Sequence, residues 1–198
     1  MNSKKSVLIF ATHNEHKLYE VHRIFQNFIQ IKSLHDCGFN EALPETHETL
    51  EENAEEKLMA VAATLHQDCF AEDTGLEIQA LDGKPGVYSA RYAEKHRSPL
   101  DNLHLVLEQM KNIKQRNARF RTVIALYLNK KVFKFEGIID GRITAKPRGN
   151  KGFGYDPVFI PDGYDKTFAE IEQDIKHTIS HRAIAFNKML TFLREELN

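Results

Sequence analysis

The sequence predicts an α/β fold on a mixed sheet, and three observations lead there. Short apolar runs alternate with stretches of helical period early in the chain. A hairpin enters later, over residues 118–139, where a purely parallel sheet would need another crossover helix. No internal repeat, low-complexity tract or linker interrupts the 198 residues, and a hydrophobic content of 41% suits a single compact domain over residues 1–198.

Each element follows from local pattern. Residues 7–11, VLIFA, are short, apolar and partly β-branched, which makes a buried strand. After the turn at Thr12–Asn14, Leu18, Val21, Phe25 and Phe28 recur at spacings of three and four, a helical stripe whose first turn Asn14 can cap. QIKSL at 30–34 reads as a strand. Thr49 and Glu52 match a capping box opening a helix from about residue 50, with Ala54, Leu58, Val61 and Leu65 on one side. The glutamates 51, 52, 55 and 56 crowd its first turns, where the helix dipole favours them, mostly as a solvated face. CFAED at 69–73 predicts a short strand ending in carboxylates, and LEIQAL resumes after a turn at Gly75. Ser98 and Pro99 open a helix with Leu103, Leu107 and Met110 inward. The hairpin turns about Asn129 and Lys130. Ser180 caps a last helix whose Ala183, Phe186, Leu190, Leu193 and Leu197 are spaced three and four apart.

Composition narrows the partner. Lys and Arg total 27 against 28 Asp and Glu, so the overall field favours neither a nucleic acid nor an anionic membrane. The basic stretch from Lys111 to Arg121 spans a helix end and a strand start, where charges are ordinarily solvated. A small molecule is the expected partner. Cys37 and Cys69 are too few for a disulfide framework, and the opening apolar run of five residues is short of a signal core or a membrane span. The cytoplasm is the expected address.

Four stretches can carry chemistry. ATHNEHK at 11–17 turns from a strand into a helix, aiming backbone N–H groups at one spot with Lys17 close by; an anion such as phosphate suits it, although capped helices with a solvated lysine are common. In AEDTG at 71–75, Glu72 and Asp73 stand at a strand end, where carboxylates bind Mg²⁺ or activate water; Glu45 can add an oxygen from another loop. Two carboxylates suffice, since Mg²⁺ prefers one or two of them with phosphate oxygens and waters. In GNKGFGYDPVF at 149–159, Phe153 or Tyr155 can stack on a flat base and Asp156 can accept hydrogen bonds, or else the rings anchor the loop to the core. IKHTISHR at 175–182 sets Lys176, His181 and Arg182 as donors beside the last helix; His177 and His181 are four apart, but Ser180 puts a helix boundary between them.

Together these stretches resemble the inosine triphosphate pyrophosphatase family, its bacterial dITP/XTP branch in particular, over essentially the whole chain. The family's TGN-x-x-K loop is matched by Thr12, Asn14 and Lys17. Its E-x-G-x-[ST]-x-x-E-N-A segment is matched by Glu45, Thr49, Glu52, Asn53 and Ala54, and its D-[ST]-G-L turn by Asp73 to Leu76. PGVYSARYA at 85–93, GFGYDP at 152–157 and ISHR at 179–182 are intact.

The resemblance implies an elongated mixed twisted sheet flanked by helices, with two lobes and an active-site cleft between them. It implies hydrolysis of ITP, dITP and XTP to the monophosphate and pyrophosphate, Mg²⁺ as cofactor, and a homodimer. By matching position, Thr12, His13, Asn14 and Lys17 would hold phosphates, Glu45 and Asp73 the metal, and Asp73 a proton from the attacking water. Thr74 would touch the substrate, and Phe153, Gly154, Tyr155, Asp156, Lys176, His181 and Arg182 would form the base pocket. The chain departs from the pattern at His13, His47 and Glu94, where glycine is usual, and at Glu72, where aspartate is. Alternatives are a Maf-like pyrophosphatase of modified pyrimidine nucleotides and a catalytically silent nucleotide binder; the intact SARYA, FGYD and SHR segments favour the purine branch.

Overall fold

The computed structural model describes residues 7–25, 28–93 and 98–197, so the departure at Glu94 lies outside the described residues. The strands are β1 (Val7–Phe10), β2 (Gln30–Ser33), β3 (Cys69–Ile78), β4 (Pro85–Gly86), β5 (Asn117–Leu128), β6 (Lys131–Ile143) and β7 (Phe159–Pro161). The α-helices are α1 (Glu15–Phe25), α2 (Leu50–Leu65), α3 (Pro99–Gln109), α4 (Gln173–Ile179) and α5 (His181–Glu196). The hydrogen-bonding order is β2-β1-β3-β5-β6-β7, with β4 against β3. β1 runs parallel to β2 and β3, while β3–β4 and β6–β7 are antiparallel, so the sheet is mixed.

The chain forms two compact units, one from Met1–Asp73, Val123–Glu136 and Ala185–Asn198, the other from Thr74–Thr122 and Gly137–Ile184. In the first, Phe10 of β1 stacks on Phe70 of β3 at 4.5 Å and 14°, and Phe186 of α5 meets the edges of Phe25 and Phe70 at 5.8 and 5.7 Å. Such pairs add about 0.5–1.5 kcal/mol each beyond the burial of their area. Val21 and Phe25, from the stripe read on α1, are fully buried beside them. In the second, Leu76, Leu103, Met110, Phe120, Phe159 and Phe168 form the core.

Local signals account for most boundaries. Asn14 Oδ1 accepts the N–H groups of His16 and Lys17 at 3.0 and 3.2 Å, capping α1. Ser98 caps α3, with Pro99 in its first turn. Asn129 and Lys130 both take positive φ, 51° and 64°, which gives the hairpin turn the twist its strands need.

Several expectations need correction: Phe28 lies beyond the end of α1, and Leu197, 38% exposed, beyond the end of α5. The capping box is half made: Thr49 Oγ1 accepts the Glu52 N–H, but the Glu52 carboxylate takes the Thr49 hydroxyl at 2.7 Å rather than a backbone N–H. Residues 69–78 form one strand, not two with a turn at Gly75. A Cβ on Gly75 would come within 2.7 Å of the Gly86 carbonyl oxygen, so this glycine permits the close approach of β4. A further short helix, α4, precedes Ser180, which ends α4 and caps α5 by accepting the Ala183 N–H at 3.1 Å. His177 and His181 therefore lie on different helices.

Candidate functional site

Continuity of β3 decides how its two carboxylates work. Neighbouring side chains on a strand point to opposite faces. Glu72, 2% exposed, turns to Lys17 of α1, its Oε1 3.1 Å from Nζ. Asp73, 6% exposed, turns to Lys57 of α2, its Oδ1 2.8 Å from Nζ. The expected acidic turn at a strand end is thus a pair of buried carboxylates in mid-strand, each facing a lysine of a different helix.

Lys57 also donates to Glu45 Oε1 at 2.8 Å, so one ammonium joins the two carboxylates read as metal ligands. Sequence reading missed this residue. The signal was present: Lys57 lies in the apolar stripe with Ala54, Leu58 and Val61, and a lysine on a buried face must find partners. Burial works against its charge, but Asp73 and Glu45 outweigh burial and raise its pKa. For Asp73, burial is the largest influence and raises the carboxyl pKa, exceeding the opposing pull of Lys57 and Lys17.

The segment carrying Glu45 is fastened residue by residue to α2. Glu45 meets Lys57; Thr46 gives its N–H and hydroxyl to Glu56 at 2.9 and 2.8 Å; the His47 N–H goes to Asn53 Oδ1 at 2.9 Å. Glu56 is therefore no part of a merely solvated face, and its pKa is lowered chiefly by the Thr46 N–H. The His47 ring lies 3.9 Å from Glu56.

In the ATHNEHK turn, Thr12 Oγ1 accepts the Asn14 N–H at 3.1 Å and Asn14 caps the helix, so two of the first N–H groups of α1 are used internally. Lys17 and the Thr12 hydroxyl remain as the side chains there that can meet an anion. The His13 ring donates through Nε2 to the Glu41 carbonyl at 2.8 Å, stitching this turn to the segment before Glu45. A glycine could not make that link.

The second unit assembles the other predicted residues. Asp156, 3% exposed, accepts from Lys176 Nζ at 2.6 Å and from the Phe153 N–H at 2.8 Å. Lys176 Nζ and Arg182 Cζ lie 5.0 and 5.6 Å from the centre of the Phe153 ring, close enough for cation–π attraction. The buried His181 ring stacks on Phe120 at 4.6 Å. The two aromatics of the glycine loop divide the readings left open above. Tyr155 is the anchor, its ring in the core and its hydroxyl donating to the Ser89 carbonyl at 2.9 Å, while Phe153 is only half-buried. Asp156 is committed to shaping the loop and holding Lys176. Thr74 shares a hydroxyl–hydroxyl bond of 2.7 Å with Thr122.

A family model described as the Ham1 family matches residues 8–192. The chain is 46% identical over 186 residues to a dITP/XTP pyrophosphatase of Christiangramia forsetii, covering 94% of this chain and 98% of that one. It is 44% identical over 189 residues to a dITP/XTP pyrophosphatase of Bacillus subtilis, covering 93% and 96%. Among solved structures, the Staphylococcus aureus Ham1 protein superposes with a TM-score of 0.88 at 35% identity, covering 96% of this chain and all of that one. A HAM1 protein from Coxiella burnetii gives 0.89 at 33%, covering 96% and 99%.

Proposed function

This chain belongs to the Ham1 family, and from that premise we propose that it hydrolyses the non-standard purine nucleoside triphosphates ITP, dITP and XTP to the monophosphate and pyrophosphate. The observation that carries the reading is the buried Asp73, made more basic by burial and joined to Glu45 through one ammonium. Hydrolysis at phosphorus needs such a base beside a site able to hold a cation.

The donor set suits Mg²⁺. Glu45 Oε1 and Asp73 Oδ1 already converge on a positive charge, and two carboxylates leave room for the phosphate oxygens and waters that Mg²⁺ prefers. Bound there, the ion would neutralise charge on the phosphate oxygens. Asp73 takes a proton from the attacking water. Lys17 and the Thr12 hydroxyl hold the phosphates, on a turn that the Asn14 cap and the His13–Glu41 bond keep in shape. Phe153 stacks on the base within the Gly154–Asp156 turn, and Lys176, His181 and Arg182 supply donors for its keto oxygens. Adenine has an amino group in place of the 6-keto oxygen, so donor meets donor. A buried donor left unpaired costs about 1–3 kcal/mol, enough to favour the keto purines. We propose further that residues 1–198 act as one catalytic domain, as a homodimer and in the cytoplasm; no described helix is long and apolar enough to cross a membrane.

The test is a panel of ITP, dITP, XTP, GTP, ATP and modified pyrimidine triphosphates with Mg²⁺ and a pyrophosphate readout, run on the wild type and on Asp73→Asn. The wild type is expected to release pyrophosphate from the first three, and the variant to lose at least about 100-fold in rate. Turnover confined to pyrimidines, or an Asp73→Asn enzyme as fast as the wild type, would overturn the reading.

A further inference from the structure

Asn53 is fully buried near the start of α2. Its Oδ1 accepts the His47 N–H at 2.9 Å, and its Nδ2 donates to the His47 carbonyl at 3.1 Å and to Asp73 Oδ2 at 3.4 Å. The orientation of the amide is determined by chemistry: flipped, it would set donor against the His47 N–H and acceptor against both the His47 carbonyl and the Asp73 carboxylate. A single side chain thus clamps both backbone groups of His47 and spends its other hydrogen on Asp73. His47 lies two residues from Glu45 in a segment without regular secondary structure, whereas Asp73 sits on β3.

We propose that Asn53 is a positioning residue for the hydrolytic reaction: by gripping His47 and Asp73 at once, it sets the spacing of the Glu45 and Asp73 carboxylates that bind the metal and activate water. Lys57 cannot do this alone. Its flexible four-carbon stem attracts both carboxylates without fixing either in direction, whereas a planar amide bonded on both edges fixes a loop and a carboxylate in one frame. Asp73 is left with its two oxygens differentiated, Oδ2 toward the amide and Oδ1 toward Lys57. The inference rests on the hydrolase reading for the reaction it serves, but not for the placement itself.

Two variants test it. Asn53→Ala removes the whole clamp. Asn53→Asp keeps the shape and still accepts the His47 N–H, but sets an oxygen against the His47 carbonyl and Asp73 Oδ2. In folded protein, both are expected to lower kcat for ITP by about 10–100-fold while KM moves less than about threefold, because the contacts to base and phosphate tail are untouched. Mn²⁺, titrated calorimetrically in the absence of nucleotide, is expected to bind about tenfold more weakly. A lower melting temperature with wild-type kcat per folded molecule would mean a purely structural role and would sink the proposal, as would unchanged Mn²⁺ affinity. If Asn53→Ala does not fold, Asn53→Asp decides alone. If the wild type itself releases no pyrophosphate, the hydrolase reading fails, and the Mn²⁺ titration still judges Asn53.

Discussion

At the scale of single residues, what matters is how a charge is kept inside the protein. Lys57 has a side chain only 5% exposed and two carboxylates within hydrogen-bond distance. Replacing it by methionine preserves much of the volume and removes the ammonium that bridges Asp73 and Glu45. Removing one partner of a buried ion pair costs about 3–5 kcal/mol, which for a protein of this size lowers the melting temperature by roughly 10 °C. The pH dependence has a definite sign. The Lys57 pKa is raised above its ordinary 10.5, so its contribution is whole below that value and is lost as the pH climbs through the raised one. The difference between wild type and Lys57→Met should be full at pH 7 and shrink in strong alkali as the ammonium loses its proton, and also in acid as Asp73, its carboxyl pKa raised by burial, takes one up. Thermal melts at the two pH values measure it, and equal midpoints at pH 7 would mean that the triad contributes nothing. Asp73 and Glu45 were legible in the sequence because their motif neighbours are distinctive. Lys57 was not, because the glutamates beside it in sequence mark this stretch of α2 as a charged, solvated face.

At the scale of elements, the glycine loop shows two uses of one residue type. Gly152 has φ +73°, and a Cβ there would lie 2.0 Å from Asp156 Oδ2. Gly154 also has positive φ, +61°, but a Cβ would meet nothing within 4 Å. Gly152→Ala must therefore displace the carboxylate that holds Lys176 and the Phe153 N–H, and the KM for ITP is expected to rise at least about tenfold. Gly154→Ala pays only the left-handed backbone penalty of about 1 kcal/mol, so its KM should stay within a few-fold of wild type. Steady-state kinetics on both compares them directly, and matching effects would argue against the loop geometry. The three glycines were readable as a loop that lets backbone come close. What comes close was not readable, since the partners, Ala169 for Gly149 and Asp156 for Gly152, are chosen by tertiary packing. Gly75 taught the same lesson in reverse, reading as a turn while serving strand pairing.

At the scale of the whole molecule, the residues proposed for phosphate and metal fall in one compact unit, while Thr74 and the residues proposed for the base fall in the other. On the proposed assignment, bound nucleotide protects residues of each set from hydrogen exchange. With Mg²⁺ and a non-hydrolysable ITP analogue at 100 times its Kd, stability is expected to rise by about 2.7 kcal/mol. Amide protection should grow in residues 45–47 and 153–156 alike; protection confined to one set would place the base or the phosphates elsewhere. By itself, the sequence determined most strands and helices but not β4, β7 or α4, the hairpin and its turn, the caps at Asn14, Ser98 and Ser180, and the residue types suited to a polyphosphate and a purine. Those are local matters of periodicity, dihedral preference and functional-group chemistry. Only the tertiary structure decided that Glu72 and Asp73 serve different lysines, that Lys57 and Asn53 bind the Glu45 segment to β3, and that Tyr155 is an anchor while Phe153 is only half-buried. Each depends on which distant side chain meets a buried polar group, because such a group must find a partner inside the fold, and spacing along the chain does not say which.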